Sequence, residues 1–444
     1  MIVVPHGAAF NLPEVRVPQN QRLAWNLNAE LKRDWQLDVV SILPSKVRSQ
    51  SRAGDPARYH LAEFIATNVP LPSGLRWAGV STLTSQSFLV AEDFHALRGF
   101  VEELSASPGN HGPFGHPGWF QQVTSWLQNA IVPHHLEWNG RFEQFHASPF
   151  FSLIRFETRP RAVWFKAVGE PNTREFTITR DLASRCKEYV PRLLAVRPDW
   201  NAWLAEECPG KTLDRVSDIG LWSRAVRSLA SLQIESMSWS KSLLQAGAHD
   251  LRELFMRSAV ESFFAMAERL HEPMAEAVSP DFSVEDWRRM EGRMLQLLDR
   301  AGNLRFPETL GHLDLNAGNV IVSSEQCAYL DWAEAYVGPP FLTLEYLLQT
   351  FRRVFGHGSP HESPVVRAYL TAWEPLIPLR DIDQFWELTP ALAVFAYAQR
   401  CFVAAESSEQ GFTRFANYLR ALLERLRREL ERCSGLKAEV EKGQ

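Results

Sequence analysis

The chain has 444 residues, a formal net charge of -5, 45% hydrophobic and 22% charged residues. This is ordinary globular composition, and the length leaves room for two or three domain cores at the usual ~150 residues each. The acidic balance argues against a general nucleic-acid binder, and five scattered cysteines without a C-x-x-C pair argue against a disulfide framework or zinc site.

Met1 to His6 lack the basic start and apolar core of a signal peptide. The longest apolar run, Ala391 to Ala398, is far short of a membrane span. A reducing cytoplasm fits, with no nucleic-acid or membrane partner; the oligomeric state is not legible.

Residues 1–135 read as a small α/β region of their own. Leu37 to Leu43 and Leu75 to Val80 have strand character, and Ala91 to Leu104 and Trp119 to Ile131 helical character. The Gly/Pro loop between those helices holds His111 and His116. No other ligand-type pair has matching spacing, so a polar connector is the simpler reading.

From Arg141 the pattern changes to short strands: Phe145 to Ala147, Phe150 to Glu157 and Ala162 to Val168. Alternation puts Val163, Phe165 and Ala167 on one face of the third strand and Lys166 on the other, with Trp164 and Val168. A lysine among apolar neighbours needs an anionic partner. The next helix, from about Arg174 to Tyr189, has Glu175, Ile178 and Leu182 on one stripe, so Glu175 is a candidate partner. Val190 to Val196 and Ala202 to Glu207 complete an antiparallel sheet carrying one helix.

Gly210-Lys211-Thr212 resembles the end of a P-loop, but the glycine required five residues earlier is Ala205, so the segment reads as a turn. Helices follow at Leu221 to Ile234, Leu251 to Leu270 and Val284 to Ala301. Trp222, Val226, Leu229 and Leu232 form a core stripe on the first. Late helices run from Thr343 to Phe355, Ser363 to Ala372, Leu388 to Ala405 and Phe412 to Leu430, and a polar tail ends the chain.

Between the two helical groups lies Gly311-His312-Leu313-Asp314-Leu315-Asn316-Ala317-Gly318-Asn319-Val320-Ile321-Val322, then Cys327 to Leu330, then Asp331-Trp332. His312, Asp314 and Asn319 fit H-x-D-x-x-x-x-N. Phosphoryl transfer needs a carboxylate near the acceptor hydroxyl and oxygen ligands for Mg²⁺ on the nucleotide phosphates. Asn319 opens a strand, a turn at Ser323 to Gln326 reverses it, and Asp331 comes back beside Asn319.

A small antiparallel sheet with one helix, followed by a helical part holding this loop and hairpin, resembles the aminoglycoside phosphotransferase and choline kinase-like family. The resemblance covers about residues 140–432 and is most specific over Gly311 to Trp332. It implies an α+β, protein-kinase-like two-lobe fold, with residues 1–135 as an N-terminal region, 136–209 as the sheet lobe, 210–434 as the helical lobe and 435–444 as the tail. Asp314 is then the catalytic base or hydroxyl-orienting acid, His312 braces the loop, and Asn319 and Asp331 hold Mg²⁺. Lys166 binds the phosphates of ATP and pairs with Glu175, Ser148 lies in the turn over the phosphates, and the run Glu206-Glu207-Cys208 offers backbone groups to adenine. Two departures stand out: the first sheet turn lacks the glycines of protein kinases, and Gly338-Pro339-Pro340 leads to Thr343 and Glu345 where the family has an aspartate.

The implied function is transfer of the ATP γ-phosphoryl group to a hydroxyl of a small molecule. The alternatives are a catalytically silent nucleotide-binding module on the same fold, or a protein kinase. The latter is disfavoured by Leu313 in place of an arginine and by the short Trp332 to Val337 segment after Asp331. Glu345, Tyr369, Trp373, Tyr397 and Arg400 are candidate acceptor contacts on the late helices.

Overall fold

The computed structural model describes residues 1–18, 22–50, 56–65, 70–105, 113–148, 151–275, 282–406 and 411–440. His111, Pro149 and the end of the tail, 441–444, lie outside the described residues. The chain divides into two compact units, 1–180 with 191–207 and 181–190 with 208–444.

The first unit begins with β1 (Ile2–His6), β2 (Ala9–Asn11), α1 (Leu23–Trp35), the long hairpin β3 (Val39–Gln50) and β4 (Pro56–Phe64), β5 (Arg76–Trp77), α2 (Ala91–Ser105) and α3 (Trp119–Ile131). It continues with β6 (Glu137–Ala147), β7 (Phe151–Arg159), β8 (Val163–Val168), the start of α4 (Arg174–Arg185), β9 (Leu193–Arg197) and β10 (Ala202–Glu206). Strands β6 to β10 form one antiparallel sheet in the order β6-β7-β8-β10-β9. The alternation read in β8 is realised, since Val163, Phe165 and Ala167 are fully buried.

What buries that face is α3. Trp119, Phe120, Val123, Leu127 and Ile131 line its apolar side and share one core with Ile154, Phe156, Val163, Phe165 and Leu204 of the sheet. Each such side chain contributes roughly 1.5–3 kcal/mol when removed from water. A polar tie adds to this. The buried Gln144 of β6 accepts from the Asn28 side chain at 2.8 Å and the Ser41 amide at 2.7 Å, and donates to the Ser41 carbonyl at 2.8 Å. The boundary expected near residue 135 therefore runs through a shared core. The amphipathic helix was legible in the sequence; the surface it packs on was not.

The second unit holds β11 (Lys211–Thr212), α5 (Ile219–Glu235), α6 (Ser240–Gln245), β12 (His249–Asp250), α7 (Glu253–Ser258), α8 (Val260–Ala275) and α9 (Val284–Asn303). Then come β13 (Thr309–His312), β14 (Val320–Val322), β15 (Cys327–Tyr329), β16 (Ala335–Gly338), α10 (Phe341–Phe355), α11 (Glu362–Leu370), α12 (Leu379–Glu406) and α13 (Gly411–Val440). The mixed α+β class read from the sequence holds, with the five-stranded sheet in one unit and most of the helix in the other. Trp222, Val226, Leu229 and Leu232 of α5 are core residues as their spacing suggested.

Two short sheets position the loop between the helices: β11-β14-β15 and β12-β16-β13. The P-loop-like Lys211-Thr212 is not a free turn but a strand paired with Val322 and Ile321. Gly210 precedes it at φ 125°, so close to the Val322 carbonyl that a methyl group would overlap it.

By length and composition alone α12 could cross a membrane, although its apolar run looked too short in the sequence. Its residues Ala391, Leu392, Ala393, Phe395, Ala396 and Ala398 are fully buried, so the run is explained by a core helix.

Candidate active site

Strand β13 delivers His312, and the chain then turns through Asp314 and Asn316 into a short 3₁₀ turn, Ala317–Asn319. The His312 ring is buried and holds both ends of the loop. Its Nδ1 accepts from the Asp314 amide at 3.1 Å, and its Nε2 lies 3.1 Å from the Leu330 carbonyl. An amide can only donate and a carbonyl only accept, so the ring is the neutral tautomer with hydrogen on Nε2. Burial lowers the His312 pKa, which favours that form.

The Asp314 carbonyl is the loop's second anchor. It accepts from the Asn316 amide at 2.8 Å and from Asn319 Nδ2 at 3.2 Å. With its amide nitrogen so engaged, Asn319 keeps its oxygen for another partner. The Asn319 carbonyl in turn accepts from the Leu330 amide at 2.9 Å, beside the end of hairpin β14–β15. That bond brings Asp331 next to Asn319. Asp331 itself has φ 64° and ψ 55°, a left-handed conformation uncommon outside glycine, asparagine and aspartate. Such conformations concentrate at ligand sites.

The carboxylate of Asp314 is not required for any of these backbone bonds. Burial raises its pKa, and the charge of Asp331 acts in the same direction. Two acids that disfavour each other's ionisation suit a site where a cation and a proton acceptor meet.

A brace missed in the sequence lies behind the loop. Thr343 Oγ1 accepts from the His312 amide at 3.0 Å and contacts Tyr336 Oη at 3.0 Å. Tyr336 Oη donates to the Pro339 carbonyl at 2.9 Å, so the Thr343 hydroxyl hydrogen goes to Tyr336. The aspartate sought after Gly338-Pro339 is absent, and Thr343 makes a brace to the loop backbone at that end of the chain. Only its proximity in sequence to the motif could have signalled this.

In the first unit, Lys166 Nζ lies 2.6 Å from Glu175 Oε1, with side chains 13% and 3% exposed. The ammonium also sits over the Phe151 and Trp203 rings at 5.3 and 5.8 Å. Removing one partner of a pair this deeply buried strands the other charge. Lys166→Met and Glu175→Gln are each expected to cost about 3 kcal/mol in denaturant unfolding, and the double variant little more than the worse single. Additive losses would show that the two side chains act independently.

The remaining nucleotide candidates are more engaged in structure than the sequence suggested. Ser148 closes the β6–β7 turn: its Oγ accepts from the Phe151 amide at 3.3 Å, and its own amide donates to the Phe151 carbonyl at 3.2 Å. The Glu206 amide donates to the Arg192 carbonyl and the Glu207 amide to the Ala162 carbonyl, both at 2.9 Å. Neither amide can also serve an adenine ring without breaking those bonds. Cys208 begins the longer stretch of the second unit.

Of the five acceptor candidates, three are core residues. Tyr369 and Trp373 are fully buried, and Glu345 is buried against Arg352 at 2.9 Å and Arg425 at 3.0 Å. Their place on the late helices made them candidates but did not show which way they face. Tyr397 and Arg400 remain partly accessible on α12.

Residues 169–386 match the model of a phosphotransferase enzyme family. That stretch, a little under half of the chain, carries the pattern of the family. The match takes in Glu175 and the whole loop-and-hairpin site of this phosphotransferase, and begins just after Lys166. Comparison with curated proteins gives no match. Among solved structures, the phosphotransferase is similar to a choline/ethanolamine kinase family protein from Mesorhizobium loti, at 15% identity over 70% of this chain and 98% of that one, with a TM-score of 0.45. It is similar to a Plasmodium vivax ethanolamine kinase at 13% identity over 74% and 92% of the two chains, with a TM-score of 0.48. It is also similar to a macrolide 2'-phosphotransferase from Brachybacterium faecium at 17% identity over 66% and 98%, with a TM-score of 0.42. With TM-scores below 0.5 these stand as similarities only.

Proposed function

We propose that this phosphotransferase moves the γ-phosphoryl group of ATP to a hydroxyl of a small molecule in the cytoplasm. The observation that carries the reading is the gathering of Asp314, Asn319 and Asp331 by one buried histidine and one hairpin hydrogen bond. Asp314 takes the proton of the acceptor hydroxyl as its oxygen bonds to phosphorus, while the bond from phosphorus to the bridging oxygen breaks and ADP leaves.

Asp331 and Asn319 fit Mg²⁺. They offer one carboxylate and one amide oxygen, the small hard donor set that this ion takes together with nucleotide phosphates and water. When bound, the ion supplies charge neutralisation on the phosphate oxygens. Lys166 held by Glu175 is the candidate phosphate ligand, with Ser148 a further candidate for the phosphates and the Cys208 backbone for the adenine, since the Glu206 and Glu207 amides are already engaged.

A silent nucleotide-binding module is the competing reading. Asp331→Ala tests both: calorimetry with ATP and Mg²⁺ is expected to lose its Mg²⁺-dependent binding, and ATP turnover is expected to vanish with it. Unchanged Mg²⁺-dependent binding would remove Asp331 from the metal site. Binding without turnover of any small hydroxyl compound by the wild type would favour the silent module. A protein acceptor is disfavoured because β16 follows Asp331 after one short turn, Trp332–Glu334.

A further inference from the structure

Beside Asp314 the second unit carries a group of side chains that phosphoryl transfer itself does not use. The Glu334 carbonyl accepts from the amide of Leu313, the residue before Asp314, at 2.9 Å. This fixes Glu334 at the edge of the catalytic loop. Its carboxylate is gripped by Arg400 of α12, with Nε 3.2 Å from Oε2 and Nη2 3.1 Å from Oε1. His249 Nε2 adds a third contact, 3.3 Å from Oε2.

Tyr397 lies one turn before Arg400 on the same helix face. Its ring packs edge-on against Tyr418 of α13, with centroids 6.5 Å apart, and Tyr418 is 47% exposed. Burial raises the pKa of both phenols, and Asp314 is among the charges adding to that rise. The Glu334 and Arg400 side chains are 30% and 29% exposed, so a ligand can reach them.

Two tyrosine faces and a satisfied ion pair make a surface of polar hydrogen-bonding groups with little net charge. A bare carboxylate at Glu334 would attract an ammonium group. With Arg400 covering both its oxygens, an ammonium would meet a guanidinium instead, while a neutral hydroxyl can still bond to the outer lone pairs and N–H groups.

We propose that Arg400 is a specificity-determining residue: by neutralising Glu334 it disfavours cationic amine acceptors and selects neutral polyhydroxyl compounds, with Tyr397 and Tyr418 as stacking surfaces. This rests on the phosphotransfer reading and names its acceptor class.

The test uses matched pairs that differ by one ammonium group, glucose against glucosamine and glycerol against serinol. Each compound is measured for binding by saturation-transfer NMR and for ATP-dependent phosphorylation. Wild type is expected to favour the neutral member of each pair. Arg400→Gln should move the binding ratio toward the amine by about tenfold, the scale of one unmasked charge a few ångströms away in a partly desolvated site. Glu334→Gln should move it the other way, so a general loss of structure cannot imitate the pair of results. Preference of the wild type for amines, a ratio that neither variant moves, or no binding of any pair would each overturn the proposal. Amines phosphorylated in preference would leave phosphotransfer standing. The expected binding ratios with no ATP-dependent product from any pair would sink the phosphotransfer reading and leave the charge assignment intact.

Discussion

Asp314→Asn is expected to lower turnover by roughly 10²–10⁴-fold, the usual contribution of a general acid–base group, while the protein folds normally. The two expectations follow from different atoms of one residue. The Asp314 amide donates to His312 Nδ1, and its carbonyl accepts from Asn316 and Asn319. Those bonds belong to the main chain and survive the substitution. The carboxylate, by contrast, sits where burial and then Asp331 raise its pKa. A raised acid pKa means that the charged form is less favourable in the folded state than in the unfolded one. Replacing it by a neutral amide should therefore leave the unfolding midpoint at neutral pH unchanged or slightly higher. Steady-state kinetics and urea unfolding on one preparation check both halves. Turnover within a few-fold of wild type would remove Asp314 from the role of base. A large loss of stability would show that its carboxylate has a structural function.

Gly311→Ala is expected to destabilise the second unit by about 3–5 kcal/mol, combining overpacking with lost buried hydrogen bonds. Gly311 is paired with Tyr336 across β13 and β16, and a methyl group on it would fall inside the Tyr336 ring. The ring is fully buried and cannot swing into solvent. Moving it would break the bond from Tyr336 Oη to the Pro339 carbonyl and the contact with Thr343, which itself holds the His312 amide. One methyl group thus presses on the brace behind the catalytic loop. Against the 5–15 kcal/mol that keeps most domains folded, the loss is large. Urea unfolding measures it directly. Gly311→Ala combined with Tyr336→Val should recover part of it, because the cavity left by the ring admits the methyl. A loss below about 0.5 kcal/mol for Gly311→Ala would mean that β13 and β16 can separate without cost.

The sequence by itself determined the features set by local chemistry and short spacing. The motif from Gly311 to Asp331 requires nothing beyond a loop, a hairpin and an acid at the right distance, and hairpin geometry then places Asp331 beside Asn319. The alternation in β8 and the stripe on α4 were legible for the same reason, because periods of two and 3.6 residues are written in the order of residues. The Lys166–Glu175 pair could be named because both charges stood on apolar faces. Tertiary structure alone decided which apolar faces meet. Helix α3 was visible as amphipathic, but that it covers the sheet of β6 to β10 joins residues far apart in the chain. Helix α1 has few caps and a mixed pattern, and it was missed. Glu345 was a candidate acceptor contact on a late helix; Arg352 and Arg425 offset the cost of burying its charge, and Arg425 lies on another helix. Thr343 became a brace, and Arg400 a partner of Glu334, for the same physical reason: a hydrogen bond between distant segments depends on where packing places their side chains.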